Sequence, residues 1–507
     1  MRRILPESLL EEFSGFVESH MGLSFPKEKW NDLAKGVQYA CKEFGCDNEE
    51  TFARNMMTSP LTKRQIEILA GSLTVGETYF FREKNVLEAF EYQILPELIR
   101  LRRGTEQHLR IWSAGCSSGE EPYTIAVILK RMIADIKDWG ITILATDINP
   151  HSHEKAEKGV YTKWSFRDVP EWVMGRYFTI KNGKDMEILP DIKKMVTFSY
   201  LNLMKDDYPS LINNTNAMDV IFCRNVLIYF GPETIKKIVQ NFHRCLIDGG
   251  WLIVSQTELI DEYFPGFEKA NIDGAILYRK VCSEEKKAYV VPPAIAMPRT
   301  EQIQVKKTKH IPSPIPPGAR IRNEPPVLRK KKEAPPAVSA QNLYKDAKVS
   351  YEQGKYSDAK EILNRLLSEG RNNAKALSLT SRICANEGKL DDALKYCSEA
   401  IDADNLNPGY RYLQSAILKE KGFAKEAMES LKKAVYLDNN FALAYFAMGN
   451  LALSAGNRIE AGKHFNNALL LLKKHHPEEP LPESEGMTAG RLIEVIEAMK
   501  WRKKERQ

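Results

Sequence analysis

The stretch "LRIWSAGCSSGEEPYT", residues 109–124, decides the fold. It reads as a strand that runs into a glycine turn and then into a helix, the arrangement that usually cradles phosphate. A nucleotide-triphosphate loop needs G-K-[ST] at the helix start, so that a lysine meets the phosphates. Glu120 and Glu121 stand there instead. Two carboxylates repel a pyrophosphate from the helix N-terminus, so the expected ligand lacks phosphate and carries positive charge. S-adenosylmethionine, with its sulfonium and α-ammonium groups, fits that description. Gly115 and Gly119 are expected to let the backbone approach it closely.

The second strand supports this. "ILATDINP" closes with Asp147, and an acid at that point accepts hydrogen bonds from ribose hydroxyls. The other reading of Asp147 is a cap on the following helix.

Around this core, residues 105–282 alternate strand and helix. Strands are expected at "LRIWSA", "ITILAT", "VTFSYL", "MDVIFC", "GWLIVS" and "AILYRK", with helices over 119–137 and 232–247. Alternation of this kind implies an α/β, doubly wound, mostly parallel sheet. This α/β domain is expected over 91–282, with a small β subdomain at about 164–195, where "NGK" signals a turn. Residues 1–90 read as an all-α domain, since "LLEEFSGFVESHMGL" has apolar positions at 9, 10, 13, 16 and 17. Its lysines and arginines at 27, 29, 35, 42, 54, 63 and 64 form either a solvated face or a docking surface for an acidic partner.

Residues 283–338 are rich in proline and lysine and lack an apolar period, as expected of a disordered tether. Beyond it a 34-residue period sets in. Gly354, Gly388, Gly422 and Gly456 keep that step, as do Ala359, Ala393, Ala427 and Ala461. Small residues fill further registers at Ala347, Ser381, Ser415 and Gly449, and at Ala400, Ala434 and Ala468, with Leu366 the odd member. This resembles the tetratricopeptide repeat: four helix pairs over 339–475, stacked as an α-solenoid whose groove binds a protein or peptide. Residues 476–507 are expected to supply a capping helix or tail.

Composition excludes little. The 507 residues carry a net charge of +6, and no window of 18 apolar residues predicts a membrane span. Eight cysteines show no C-x-x-C pair, which suits scattered thiols in a reducing cytoplasm. No metal and no nucleic-acid partner are expected. The motifs of adenine and cytosine methylation are missing from the sequence.

"TYFFRE" (78–83), "GCSSGEEPYT" (115–124), "ATDI" (145–148), "NL" (202–203), "IFCRNVLIYF" (221–230) and "LYRK" (277–280) together resemble the chemotaxis receptor methyltransferase family, CheR. The resemblance covers about residues 5–282. It implies a cytoplasmic enzyme that uses S-adenosylmethionine to methylate glutamate side chains on chemoreceptors, releasing S-adenosylhomocysteine. It further implies that Thr78 and Arg82 border the cofactor and the transfer site, that Glu120 binds the cofactor's polar end and that Asp147 binds its ribose. Asn202, Leu203, Arg224 and Asn225 line the rest of the pocket, and Tyr229 sits beside the reacting methyl. Arg82 and Arg224 are candidates to grip the substrate carboxylate. Gly76 stands where some members have asparagine, and "SQTE" (255–258) replaces a more usual Gly-His-Ser-Glu, so neither Gly76 nor Glu258 receives a role. Other expectations weighed are a methyltransferase for another protein or small-molecule carboxylate, and a cofactor-bound repeat scaffold with little activity.

Overall fold

A computed structural model describes residues 5–58, 61–74, 76–105, 107–167, 169, 171–204, 208–211, 213–281, 340–370, 373–484 and 486–498. The expected tether at 283–338 and the last residues of the tail lie outside the described residues.

At the centre is a seven-stranded sheet in the order β6-β2-β1-β7-β8-β10-β9. Its strands are β1 (His108–Ala114), β2 (Gly140–Asp147), β6 (Val196–Tyr200), β7 (Met218–Cys223), β8 (Leu246–Val254), β9 (Phe267–Ile272) and β10 (Ala275–Lys280). The first five are parallel, and β10 and β9 close one edge antiparallel. Parallel strands covered by helices on both faces should be apolar throughout, and all six residues of β7 are buried. β1 lies between β2 and β7, so the chain reverses direction across the sheet beside β1. The crevice at the carboxyl ends of the strands there is where ligands bind in open α/β sheets.

A second sheet, β3-β5-β4, is antiparallel and built from Val160–Tyr161, Asp185–Ile188 and Phe178–Lys181. Its first strand begins upstream of the expected start at residue 164. Phe80, Tyr161, Phe166 and Phe178 stack in one cluster that fastens this sheet to the main core.

The N-terminal helices bury one stripe each. In the helix Glu7–Met21 the stripe is Leu9, Leu10, Phe13, Val17 and Met21, the 3–4 spacing of an amphipathic helix. The helix Lys63–Leu73 starts with a capping box between Thr62 and Gln65. Several basic residues on this domain are in surface ion pairs: Lys27 with Glu7, Lys35 with Asp32 and Arg54 with Glu50.

From Ala340 the described residues form four antiparallel helix pairs, beginning with Ala340–Glu352 and Tyr356–Glu369 and ending with Ala442–Ser454 and Arg458–Leu472. Gly354, Gly388, Gly422 and Gly456 all take positive φ, between +73° and +83°, at the turn inside each pair. Glycine is the residue that adopts this backbone without strain. Ala359, Ala393, Ala427 and Ala461 are fully buried where helices cross. At Gly449 a Cβ would lie 2.4 Å from the Phe465 ring, so only glycine fits. The helix Ala489–Ala498 packs Leu492 and Ile496 into the last cluster, as a cap would. Among the described residues no helix is long and apolar enough to cross a membrane.

Candidate functional site

A cleft of about 1060 Å³, open solvent included, sits at the carboxyl ends of β1, β2, β6 and β7. Thr78, Arg82, Gly115, Asp147, Asn202, Leu203, Arg224, Asn225 and Tyr229 all lie in its wall. These residues come from five separate stretches of chain. The helical domain closes one side with Met21, Leu23 and Thr74. It is tied there by the Leu23–Phe230 bridge and by Ser24 N–H donating to the Tyr229 carbonyl at 2.7 Å.

The two glutamates of the turn part company. Glu120 is fully buried away from the cleft: its carboxylate accepts from Ser118 Oγ at 2.7 Å and Ser165 Oγ at 3.0 Å, with Lys155 Nζ at 3.6 Å. Glu121 is the one in the cleft wall. It accepts from Ser113 Oγ at 2.7 Å and from Arg224 Nη1 at 3.1 Å. Glu120, expected to meet the ligand, thus lies outside the cleft, and its neighbour Glu121 stands in the wall instead. Both acids sit in the first turn of the helix Glu120–Met132, where negative charge is favourable. Burial pushes the Glu121 carboxyl above the ordinary range, opposed by Arg224 and Ser113.

The glycines of the turn also answer to packing within the protein. A Cβ on Gly115 would lie 2.4 Å from the Val226 side chain, and one on Gly119 would lie 2.8 Å from Ala156. Both have positive φ. Their missing side chains let the turn pack against neighbouring loops and helices, while Gly115 still faces the cleft.

Asp147 is held by its own turn: Ser117 N–H donates to Oδ2 and Asn149 N–H to Oδ1, both at 2.8 Å. Burial raises its pKa, against those amides and His153. The helix-cap role falls to Asn149, whose side chain accepts from His151 and Ser152 N–H.

Arg224 is buried. It meets Glu121 on one side and Glu83 at 3.6 Å on the other, and donates to the Arg82 carbonyl. With its fork so engaged, it is placed as a clamp within the protein. Arg82 is half-buried at the rim, its Nη1 donating to the Glu77 carbonyl at 2.8 Å. Its guanidinium lies 5.8 Å from the Tyr79 ring, on which Arg167 also stacks, and Arg167 in turn packs on Trp164.

One residue left without a role organises the floor. Glu258 accepts from the backbone N–H groups of Asn225 (2.9 Å), Val226 (2.7 Å), Leu227 (2.8 Å) and Ser255 (2.9 Å). It thereby fixes the loop that presents Arg224, Asn225 and Tyr229. The signal was the spacing in "SQTE", the S-x-x-E of a capping box. Asn225 takes φ +58°. Its Oδ1 is buried with no hydrogen-bond partner among the described residues.

That orphan acceptor, together with Glu121 and Asp147, suits a ligand rich in N–H and O–H donors and carrying positive charge. S-adenosylmethionine offers both. Among the described residues no group of three or more His, Cys, Asp and Glu is placed to hold a metal.

A doubly wound sheet with acids in the cleft at its switch point fits the methyltransferase class. Residues 76–275 match the CheR methyltransferase, SAM binding domain, and residues 350–417 match the tetratricopeptide repeat. The chain is 34% identical to Chemotaxis protein methyltransferase 1 of Pseudomonas aeruginosa over 274 residues, covering 53% of this chain and 96% of that protein. It is also 34% identical to the Chemotaxis protein methyltransferase of Borreliella burgdorferi over 246 residues, covering 48% of this chain and 85% of that one. Against Chemotaxis protein methyltransferase 2 of Vibrio cholerae the identity is 35% over 194 residues, covering 38% of this chain and 66% of that protein. The chain belongs to the CheR family of S-adenosylmethionine-dependent chemotaxis methyltransferases, with a tetratricopeptide array at its C-terminal side.

Proposed function

We propose that this chain methylates glutamate side-chain carboxylates on the cytoplasmic part of chemoreceptors, forming γ-glutamyl methyl esters. The tetratricopeptide array provides a protein-binding surface, and a cytoplasmic location goes with this reading. The relatives' names point to chemotaxis. The observation that carries the reaction type is the division of labour between the two arginines: Arg224 is neutralised by Glu121 and Glu83, while Arg82 stands at the rim.

When bound, S-adenosylmethionine supplies an activated sulfonium methyl. Asp147 accepts hydrogen bonds from ribose hydroxyls, Glu121 faces the positive charge, and Asn225 Oδ1 takes an N–H or O–H donor. Thr78, Asn202 and Leu203 complete the wall. A substrate glutamate is already an anion at pH 7, since its ordinary pKa is about 4.3. No general base is required, so the residues' work is alignment and exclusion of water. Arg82 orients the incoming carboxylate through its planar fork. Its existing bond to the Glu77 carbonyl limits how fully it neutralises the nucleophile. Tyr229 borders the same space and confines the approach.

The test is incubation with methyl-labelled S-adenosylmethionine and a chemoreceptor cytoplasmic fragment. The reading expects label on the receptor that alkali releases as methanol. Label that survives alkali would assign methylation to nitrogen instead. Tight cofactor binding without transfer to any receptor would favour the repeat-scaffold reading.

A further inference from the structure

The chain's own methyltransferase unit packs against the helices Ala374–Asn386, Pro408–Glu420 and Ala442–Ser454 of the tetratricopeptide array. In the connection from β6 to β7, Leu211 and Asn214 line a cavity together with residues of the helices Pro408–Glu420 and Ala442–Ser454. Leu211 packs against the cluster of Leu377, Tyr410, Leu413 and Ile417. Asn214 lines a small cavity with Tyr412, Phe446 and Asn450.

A polar lock backs this apolar contact. Asn216 Nδ2 donates to Glu420 Oε1 at 2.9 Å, and Arg110 Nη1 lies 3.7 Å from the same oxygen. Arg110 is on β1, and its guanidinium also donates to the Asn216 carbonyl at 3.1 Å and to Asn214 Oδ1 at 2.7 Å. The Arg110 and Glu420 side chains are 4% and 5% exposed. A buried charge pair, here held by the Asn216 bond to one oxygen while Glu420 Oε2 has no hydrogen-bond partner among the described residues, is a geometry-sensitive contact, unlike exposed surface pairs.

The same connection carries part of the cofactor cleft. It begins with Leu201, Asn202 and Leu203, which lie in the cleft wall. Tyr208 then turns back, its hydroxyl donating to the Leu203 carbonyl at 2.8 Å. The Tyr208 ring is fixed edge-on to Trp112. Leu211, against the repeats, follows three residues later. One short stretch therefore has its start in the cleft and its end in the repeats.

We propose that this face of the tetratricopeptide array is a docking surface for the β6–β7 connection of its own chain, and that this docking holds Asn202 and Leu203 in their cofactor-binding positions. Glu420 and Leu211 are then positioning residues for the methyl-transfer site, acting through Tyr208. A peptide partner of this face of the array competes with Leu211 for the same space. Release of the connection loosens one wall of the cleft. The second half of the proposal rests on the cleft being the cofactor site; the first half does not.

The experiment uses the full chain with Leu211→Glu, which uproots the connection, and Ala416→Glu, which charges this face from the repeat side. Hydrogen exchange over residues 208–217 reports docking, calorimetry with S-adenosylhomocysteine reports the cleft, and thermal unfolding reports the fold. Both variants are expected to speed exchange in 208–217 and to weaken product binding about tenfold, within the usual range of coupling between sites. A Tyr436→Ala control on the exposed side of the array is expected to change neither. Where Leu211→Glu fails to fold, Glu420→Gln, which keeps the shape and removes the charge, is expected to shift both readouts in the same direction by a smaller factor. Unchanged exchange in all folded variants would overturn the docking. Faster exchange with product affinity within twofold would overturn the coupling. Wild-type chain that binds no S-adenosylhomocysteine while exchange responds as expected would leave the docking intact, overturn the coupling and remove the cofactor reading.

Discussion

Arg224 Nη1 donates to Glu121 Oε2 at 3.1 Å, joining the end of β7 to the first turn of the helix that follows β1. Both side chains are largely buried, at 3% and 13% exposure. The pair therefore fixes the two loops that face each other across the cofactor cleft. Replacing Arg224 by alanine leaves Glu121 as an unpaired carboxylate beside the cleft. Chemical denaturation should show a loss of about 3–5 kcal/mol, the usual consequence of breaking a buried pair. Combining Arg224→Ala with Glu121→Gln should recover part of that loss, because the isolated charge is gone. A double variant no more stable than Arg224→Ala would contradict the pairing.

Arg82 should separate catalysis from binding. It touches the rim, whereas Glu121 and Asp147 are acids of the cleft wall. Arg82→Ala is expected to lower the rate of methyl transfer by roughly a hundredfold, the scale of lost orientation, while S-adenosylhomocysteine affinity stays within about threefold. Arg82→Lys keeps the charge but not the fork, so its rate should fall between the two. A large loss of product affinity with an unchanged rate would place Arg82 on the cofactor instead.

Glu258 should behave as a positioning residue. Alanine there strands four backbone N–H groups, with a loss of about 2–4 kcal/mol in stability expected from unmet buried donors. The same change should weaken S-adenosylhomocysteine binding, because Arg224, Asn225 and Tyr229 all ride on the loop it holds. Glu258→Gln keeps an acceptor oxygen and should recover part of both. Equal effects of Ala and Gln on affinity, with no loss of stability, would contradict this role.

How much of this was legible in the sequence differs from place to place. The 34-residue registers at Gly354 and Ala359 could be read because each position repeats the same backbone or packing demand four times. The choice between Glu120 and Glu121 could not. Neighbours on a helix point about 100° apart, and the packing of Ser165 and Arg224 decides which faces the cleft. Strand β9 carries no alternating apolar pattern, since it lies at the sheet edge with most residues partly or fully exposed, and it was missed. The packing of Leu211 against the repeats depends on contacts some two hundred residues apart, which no local pattern encodes.

Acid should destabilise the fold through two histidines. Burial pushes His243 down to about 4 and His108 down to about 3. In the unfolded chain each titrates near 6.5, so folded and unfolded states differ in bound protons below that pH. Their contribution to stability is complete above about pH 6.5 and is lost as pH falls through that range toward 4. Urea unfolding at pH 7, 5.5 and 4.5 should show stability falling by up to about 1.4 kcal/mol per pH unit for each histidine. His243→Gln should flatten that slope. Glu121 and Asp147 have the opposite sign: their raised pKa values make their ionised forms unfavourable in the fold, so acidification relieves that strain. The same protonation removes negative charge from the cleft, so affinity for S-adenosylmethionine should fall with pH even where the apo fold is intact.

The central claim is that the cleft beside β1 selects a cationic methyl donor over anionic nucleotides. Calorimetry on the full chain tests it most directly, with S-adenosylmethionine, S-adenosylhomocysteine, ATP and NAD titrated in parallel. The account predicts saturable micromolar binding of the first two and none of the others, with the preference lost in Asp147→Ala. Binding of ATP or NAD at comparable affinity, with no uptake of S-adenosylmethionine, would contradict it.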